Sequence, residues 1–366
     1  MTADAVGGVF SYVSTLAQEL TRYGATVCIA CMGPAPTAEQ QRALAGSGDL
    51  RLVNGPFSLE WMDEPWEDVN RAGEWLSDME RELRPDIVHL NGFVHAALPW
   101  SAPCVVVAHS CVVSWWSAVF GERAPERYDQ YRERVAEGLK SADRVVAPTR
   151  AMLDCLRAAH GYEGRGEVIF NGVDPSQYFR RPKQPFLLAA GRLWDRAKNL
   201  ELVLAAAPNL PWPVRIAGPR SLDGTKDSQC EAVGYLGQLS RSALARVMGE
   251  ASIFVHPARY EPFGLAPLEA ACSGAALVLG RIDSLREIWG EDALYVEPDD
   301  AAELCAAVTR LVEDPILRHR SAARAEARAR GMSSRRMADA YTALYLELAS
   351  AGDAHRSSAA RAGALS

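Results

Sequence analysis

Short apolar runs alternating with amphipathic stretches organise this chain. In the first half the runs predict strands over Thr26–Cys31, Arg51–Val53, Ile87–Leu90, Cys104–Ala108, Arg144–Ala147 and Glu167–Phe170. Between them, apolar positions at helical spacing predict helices over Ser11–Tyr23, Val69–Leu83, Arg127–Ala142 and Arg150–Ala159. The second half repeats the theme, with strands over Phe186–Ala190, Val214–Ala217, Val233–Leu236, Ile253–His256 and Ala276–Leu279. Runs apolar on both faces suit parallel strands covered by helices. The alternation therefore predicts an α/β chain of two doubly wound parallel sheets, joined through the Arg180–Pro185 stretch. Residues 1–180 form the first expected domain and 181–333 the second. Met337, Tyr341, Leu344, Tyr345 and Leu348 then give one more helix over 334–350, and the small, polar residues 351–366 predict a disordered tail. Ligands of open α/β sheets bind outside the carboxyl ends of the strands, so the crevice between the sheets is the expected site.

Composition narrows the class. The chain has 366 residues, of which 48% are hydrophobic, enough for two domains with proper cores. No apolar stretch reaches the roughly 18 residues of a membrane span. The start, Met1-Thr-Ala-Asp-Ala-Val-Gly-Gly, lacks the regions of a signal peptide. The net charge of −7 argues against nucleic acid and against strong attraction to anionic membranes. The cysteines (28, 31, 104, 111, 155, 230, 272 and 305) lie mostly in apolar runs and read as free thiols of a reducing cytoplasm. Cys28-Ile-Ala-Cys31 falls in a strand, where odd spacing sends the two thiols to opposite faces, so neither zinc nor redox chemistry is expected there.

Two segments carry the candidate chemistry. Glu261-Pro-Phe-Gly-Leu-Ala-Pro-Leu-Glu269 follows an apolar strand and opens a helix, with Pro267 in the first turn, where its missing N–H costs nothing. The amides near Phe263, Gly264 and Leu265 make a partly positive anion site. Two carboxylates beside an anion site fit a ligand whose phosphates sit between hydroxyl-bearing groups, as in a sugar joined to a ribose by a diphosphate. Upstream, Gly191-Arg192-Leu193-Trp194-Asp195-Arg196-Ala197-Lys198-Asn199 follows a buried strand, which places Arg192 and Lys198 to meet a diphosphate through charge-assisted bonds.

With these segments, Pro85-Asp-Ile-Val-His89, His109 after a strand, Asn171-Gly-Val-Asp174 and Pro298-Asp299-Asp300, the chain resembles the family-4 (GT4) retaining glycosyltransferases of GT-B fold over roughly residues 5–350. The resemblance implies transfer of a sugar from a nucleoside diphosphate sugar to a hydroxyl with the anomeric configuration kept. It implies that Glu269 bonds the ribose, and that Glu261 with the backbone at Phe263, Gly264 and Leu265 holds the sugar hydroxyls and the diphosphate. His109 contacts the donor sugar or the reaction centre, and Gly8 joins the donor contacts. Arg192 and Lys198 stabilise charge on the leaving diphosphate, so neither a metal nor a cofactor is expected beyond the donor itself. In that family the last helix crosses back onto the first domain. His89 and His256, within or ending apolar strands, read as structural.

The acceptor site should come from the first domain: Gly7-Gly8, the loop Leu59–Trp66, and Ser114-Trp115-Trp116-Ser117. Aromatic side chains at a cleft edge stack on sugar faces or rings, which favours a soluble small-molecule or carbohydrate acceptor. Helix Ser11–Tyr23 has Arg22 as its one basic residue, whereas a membrane-docking helix wants a basic face.

Two departures from the family pattern stand out. Met1–Val6 is too short and polar for a buried central strand, so the first strand is expected to be missing and the natural start to lie upstream. Its loss would leave buried N–H and C=O groups unsatisfied at about 1–3 kcal/mol each. That expectation keeps open a catalytically silent partner subunit, besides a sugar-nucleotide epimerase of the same fold. Ile282-Asp283-Ser284 stands where a glycine-rich turn is usual, which leaves the choice of nucleotide unread. A nicotinamide dehydrogenase fits poorly, because Gly161-Tyr-Glu-Gly-Arg-Gly166 precedes a strand rather than following one.

Overall fold

The computed structural model describes residues 1–44, 48–220 and 231–363, so Cys230 lies outside the described residues. The chain forms two compact units. One comprises Met1–Ser114, Arg123–Gly172 and Ser334–Ser366, the other Trp115–Glu122 and Val173–Ser333.

In the first unit β1 (Thr2–Asp4), β2 (Val27–Met32) and β3 (Leu50–Gly55) form one parallel sheet in that order. A second parallel sheet has β4 (Val88–Leu90), β5 (Cys104–Val107), β6 (Arg144–Ala147) and β7 (Gly166–Val168). Helices α1 (Gly8–Arg22), α2 (Ala38–Leu44), α3 (Trp66–Leu83), α4 (Val112–Phe120), α5 (Asp129–Ser141) and α6 (Arg150–His160) intervene, α4 running on into the second unit. Val13 and Leu16 of α1 bury against Ile29, Val105, Val107 and Val146, the arrangement expected of strands covered by apolar helix faces.

The expected loss of the first strand is overturned. Thr2–Asp4 is buried and pairs with β2, Thr2 opposite Ala30 and Asp4 opposite Met32. Its polarity is tolerated because each polar side chain is bonded. Thr2 Oγ1 accepts the Asn91 N–H at 2.8 Å, Asp4 Oδ1 accepts the Val6 N–H at 2.8 Å, and Ala3 enters the core. Asn91 Nδ2 also donates to the Thr2 carbonyl at 2.6 Å, so a side chain joins the two sheets where their ladders stop.

The second unit has a single parallel sheet of β8 (Gln184–Ala190), β9 (Val214–Ala217), β10 (Val233–Gly237), β11 (Ala251–His256), β12 (Ala276–Gly280) and β13 (Leu294–Val296), in the order β10-β9-β8-β11-β12-β13. Helices α7 (Leu200–Ala206), α8 (Arg241–Glu250), α9 (Leu265–Cys272), α10 (Asp283–Trp289), α11 (Ala301–Glu313) and α12 (Pro315–Ala329) complete it. The chain moves outward from β8 to β10, then returns to the other side of β8 at β11. The topological switch point therefore lies between the carboxyl ends of β8 and β11.

The units divide at Gly172/Val173 rather than after residue 180, because the intervening segment is bonded to the second unit. Val173 N–H donates to the Met332 carbonyl and Arg181 N–H to the Gly249 carbonyl, both at 3.2 Å. Finally, α13 (Ser334–Gly363) belongs to the first unit, burying Tyr341, Leu344 and Leu348 with α1. It continues past residue 350, where the sequence reading ended it.

Candidate functional site

The loops after β8 and β11 meet at the switch point. The first runs Gly191–Asn199 and is held by its far end. Asn199 is buried in the left-handed conformation (φ 55°, ψ 37°), which asparagine tolerates, and its amide donates to the carbonyls of Pro257, at 2.9 Å, and Pro298. Arg259 adds a second tie, donating from its backbone N–H to the Ala197 carbonyl at 2.9 Å and from Nη1 to the Arg196 carbonyl at 3.1 Å. Behind the loop, Gly218 lies back to back with Gly191. A Cβ on Gly218, at φ 141°, would meet the Gly191 carbonyl oxygen at 1.9 Å.

Both expected cations of this loop are engaged. Arg192 Nη2 donates to Asp195 Oδ2 at 2.6 Å, and its guanidinium lies 5.1 Å from the Trp194 ring centre. Asp195 Oδ1 in turn accepts the Ala197 N–H at 3.0 Å. The Lys198 ammonium donates to Glu261 Oε2 at 2.6 Å.

Glu261 is buried and its Oε2 also lies 3.0 Å from His256 Nε2. Burial alone would raise its pKa, but the Lys198 charge and the His256 hydrogen bond outweigh that and hold the carboxyl well below the usual carboxylate range. Its backbone carbonyl accepts Ser284 Oγ at 2.6 Å, so the Ile282-Asp283-Ser284 departure supports Glu261 directly. Among the described residues no protein group bonds Oε1.

Gly264 then turns the chain into α9 with φ 91° and ψ 71°, a left-handed conformation that glycine adopts freely. A Cβ there would stand 3.2 Å from Pro267 Cγ and 3.3 Å from Leu285 Cδ2. Phe263 is buried beside it, and Leu265 is the first residue of α9. One turn into α9, Glu269 is partly exposed. Its Oε1 accepts the Tyr178 hydroxyl at 2.8 Å, and Arg241 Nε donates to that hydroxyl at 3.3 Å. Burial raises the Glu269 pKa, partly offset by the Tyr178 hydrogen bond and the Arg241 charge. Among the described residues its Oε2 has no protein partner.

The other expected site residues have different settings. Gly7 (φ 91°) and Gly8 are exposed where β1 passes into α1, the strand–glycine–helix arrangement that presents backbone amides to an anion. His109 follows β5 in the first unit. Its Nε2 lies 2.7 Å from Asn91 Oδ1, the Tyr12 ring packs on it edge-on at 4.4 Å, and burial pushes its pKa down to about 3. The ring is therefore neutral at physiological pH.

Trp115 and Trp116, expected from the first domain, fall in the second unit. They cluster with Phe120 at ring distances of 5.8 and 4.5 Å, and the Arg196 guanidinium lies 5.3 Å from the Phe120 ring centre, which ties that segment to the Gly191–Asn199 loop.

Sequence reasoning missed three contributors. His256, read as structural, orients Glu261; its place at the end of β11, five residues before the glutamate, was the available signal. Tyr178 and Arg241 reach Glu269 from distant segments and carry no local signature.

Residues 6–177 match the family described as Glycosyltransferase Family 4, and residues 173–328 that described as Glycosyl transferases group 1. A glycogen synthase of Mycobacterium tuberculosis (strain ATCC 25618 / H37Rv) is 27% identical over 366 residues, an alignment covering 88% of this chain and 86% of that protein. Among solved structures, sucrose-phosphate synthase from Thermosynechococcus elongatus superposes with a TM-score of 0.80 at 20% identity, covering 96% of both chains. Anabaena HepE in complex with UDP-glucose superposes with a TM-score of 0.72 at 17% identity, covering 95% of this chain and 100% of that one. No described helix is long and apolar enough to cross a membrane.

Proposed function

This chain belongs to the family-4 glycosyltransferases of GT-B fold, and we propose that it moves a sugar from a nucleoside diphosphate sugar to an acceptor hydroxyl with retention of anomeric configuration. The observation that carries the reading is the division of labour around α9. Glu261 and Glu269 each use one carboxylate oxygen within the protein and, among the described residues, keep the other without a protein partner, on either side of the amides that open the helix. Free carboxylate oxygens accept hydroxyls. Helix amides and nearby cations donate to phosphate oxygens.

In this reading Glu269 takes the ribose, Glu261 the sugar, and the Phe263–Leu265 amides the diphosphate. Arg192 and Lys198 exchange their carboxylate partners for phosphate oxygens. Charge grows on the diphosphate as its bond to the anomeric carbon breaks, so these cations stabilise the transition state more than the ground state. The acceptor oxygen bonds to the same face of that carbon, and its proton passes to the departing phosphate oxygen. Neutral His109 contacts the sugar, and Gly8 adds a donor contact. Gly7, Trp115 and Trp116 border the acceptor, a soluble small molecule or carbohydrate. The silent-partner alternative loses its ground, since β1 is present and paired.

Titration calorimetry with UDP, GDP, ADP and dTDP tests the donor, and the UDP-glucose bound to HepE makes UDP the first to try. One nucleotide should bind, and the Glu269→Ala variant should lose it. No binding to the folded chain overturns the reading. A product of inverted configuration, read by NMR of the anomeric proton, overturns retention alone.

A further inference from the structure

The geometry points to Asn91 as a positioning residue that fixes which nitrogen of His109 faces a ligand. This rests on the proposed place of His109 at the sugar. Asn91 follows β4, and its own orientation admits one solution. Its Nδ2 sits 2.6 Å from the Thr2 carbonyl, an atom that only accepts, so the amide nitrogen must face it. The Asn91 N–H donates to Thr2 Oγ1 at 2.8 Å, which holds the backbone as well.

Asn91 Oδ1 therefore faces two imidazoles, His109 Nε2 at 2.7 Å and His89 Nε2 at 3.2 Å. An amide oxygen also only accepts, so both rings carry their proton on Nε2. His89 is consistent with this at its other nitrogen, where Nδ1 lies 2.5 Å from the Tyr345 hydroxyl and accepts from it. His109 differs in one respect: among the described residues nothing bonds its Nδ1, and the ring is partly exposed.

Burial keeps both rings neutral, each with its pKa lowered to about 3. The groups packed on them, Tyr12 from α1 with Tyr341 and Tyr345 from α13, carry no charge near neutral pH. At His109 the protein thus offers a pure acceptor. It receives an O–H from a ligand and repels phosphate and carbonyl oxygens. Without Asn91 the ring would turn or change tautomer, presenting N–H where a hydroxyl must donate.

Long-range proton–nitrogen NMR of the full chain labelled at histidine reads the tautomer without substrate. His89 and His109 should both show the Nε2–H form, unchanged between pH 7 and 5. In Asn91→Leu the His109 signals should move toward the mixed or Nδ1–H form, and kcat should fall about tenfold or more, while affinity for the nucleotide stays the same. Asn91→Asp, which keeps an acceptor at that position, should restore the Nε2–H form. An Nδ1–H form of His109 in the unaltered chain overturns the lock. A shifted tautomer with unchanged kcat in Asn91→Leu overturns instead the placing of His109 at the sugar.

Discussion

At the scale of the residue, buried ionisable groups divide by whether a partner was built for them. Glu261 has Lys198 and His256 and stays ionised despite burial. His89 hydrogen-bonds only to neutral groups, and burial together with the nearby Met1 ammonium keeps it uncharged. The first contrast concerns activity. Lys198→Ala leaves the fold intact but should lower kcat by about a hundredfold or more, measured against an unchanged circular-dichroism spectrum. The second concerns stability. The folded-state pKa of His89 lies below its ordinary 6.5, at about 3, so the unfolded chain binds the extra proton first and stability falls with pH in that window. Between pH 7 and 5 this one ring should cost about 2 kcal/mol, and urea unfolding of His89→Gln should show a correspondingly weaker pH dependence. Arg192, Lys198 and the two glutamates could be singled out as candidates in the sequence because their motifs are local, and the fold brings Lys198 onto Glu261. Asn91 was not, since its meaning depends on Thr2, His89 and His109, brought together only by sheet topology.

At the scale of the element, most strands could be read because each is a short apolar run between helices, and Arg144–Ala147 and Val214–Ala217 fall at the bounds expected for them. β1 escaped because hydropathy judges a strand by side-chain polarity alone. Thr2 and Asp4 are polar, yet each side chain accepts a backbone N–H, a compensation that no hydropathy pattern registers. α4 escaped for the opposite reason: Val112–Phe120 is almost uniformly apolar and shows no helical period. The start of α9 is the element most sensitive to change. Gly264→Ala forces a side chain into a left-handed turn with neighbours at 3.2 and 3.3 Å. It should lower stability by about 1–2 kcal/mol in thermal unfolding and weaken diphosphate binding more than tenfold by calorimetry.

At the scale of the whole molecule, the second unit assembles its candidate site from neighbouring strands at a topological switch point, so fold and site are one fact there. In the proposed reading Arg192, Lys198 and the helix amides take the phosphate charge, so turnover should be unaffected by EDTA, as an assay with and without the chelator would show. The built-in carboxylates have a further consequence, for the end of the catalytic cycle. In the proposed reading Asp195 and Glu261, which hold Arg192 and Lys198 in the free protein, would reclaim those cations, so a spent nucleotide should be displaced from within and depart quickly. Asp195→Asn keeps an oxygen for the Ala197 amide but removes that competition. It should bind the nucleoside diphosphate several-fold more tightly and turn over more slowly through delayed release, which stopped-flow displacement would measure.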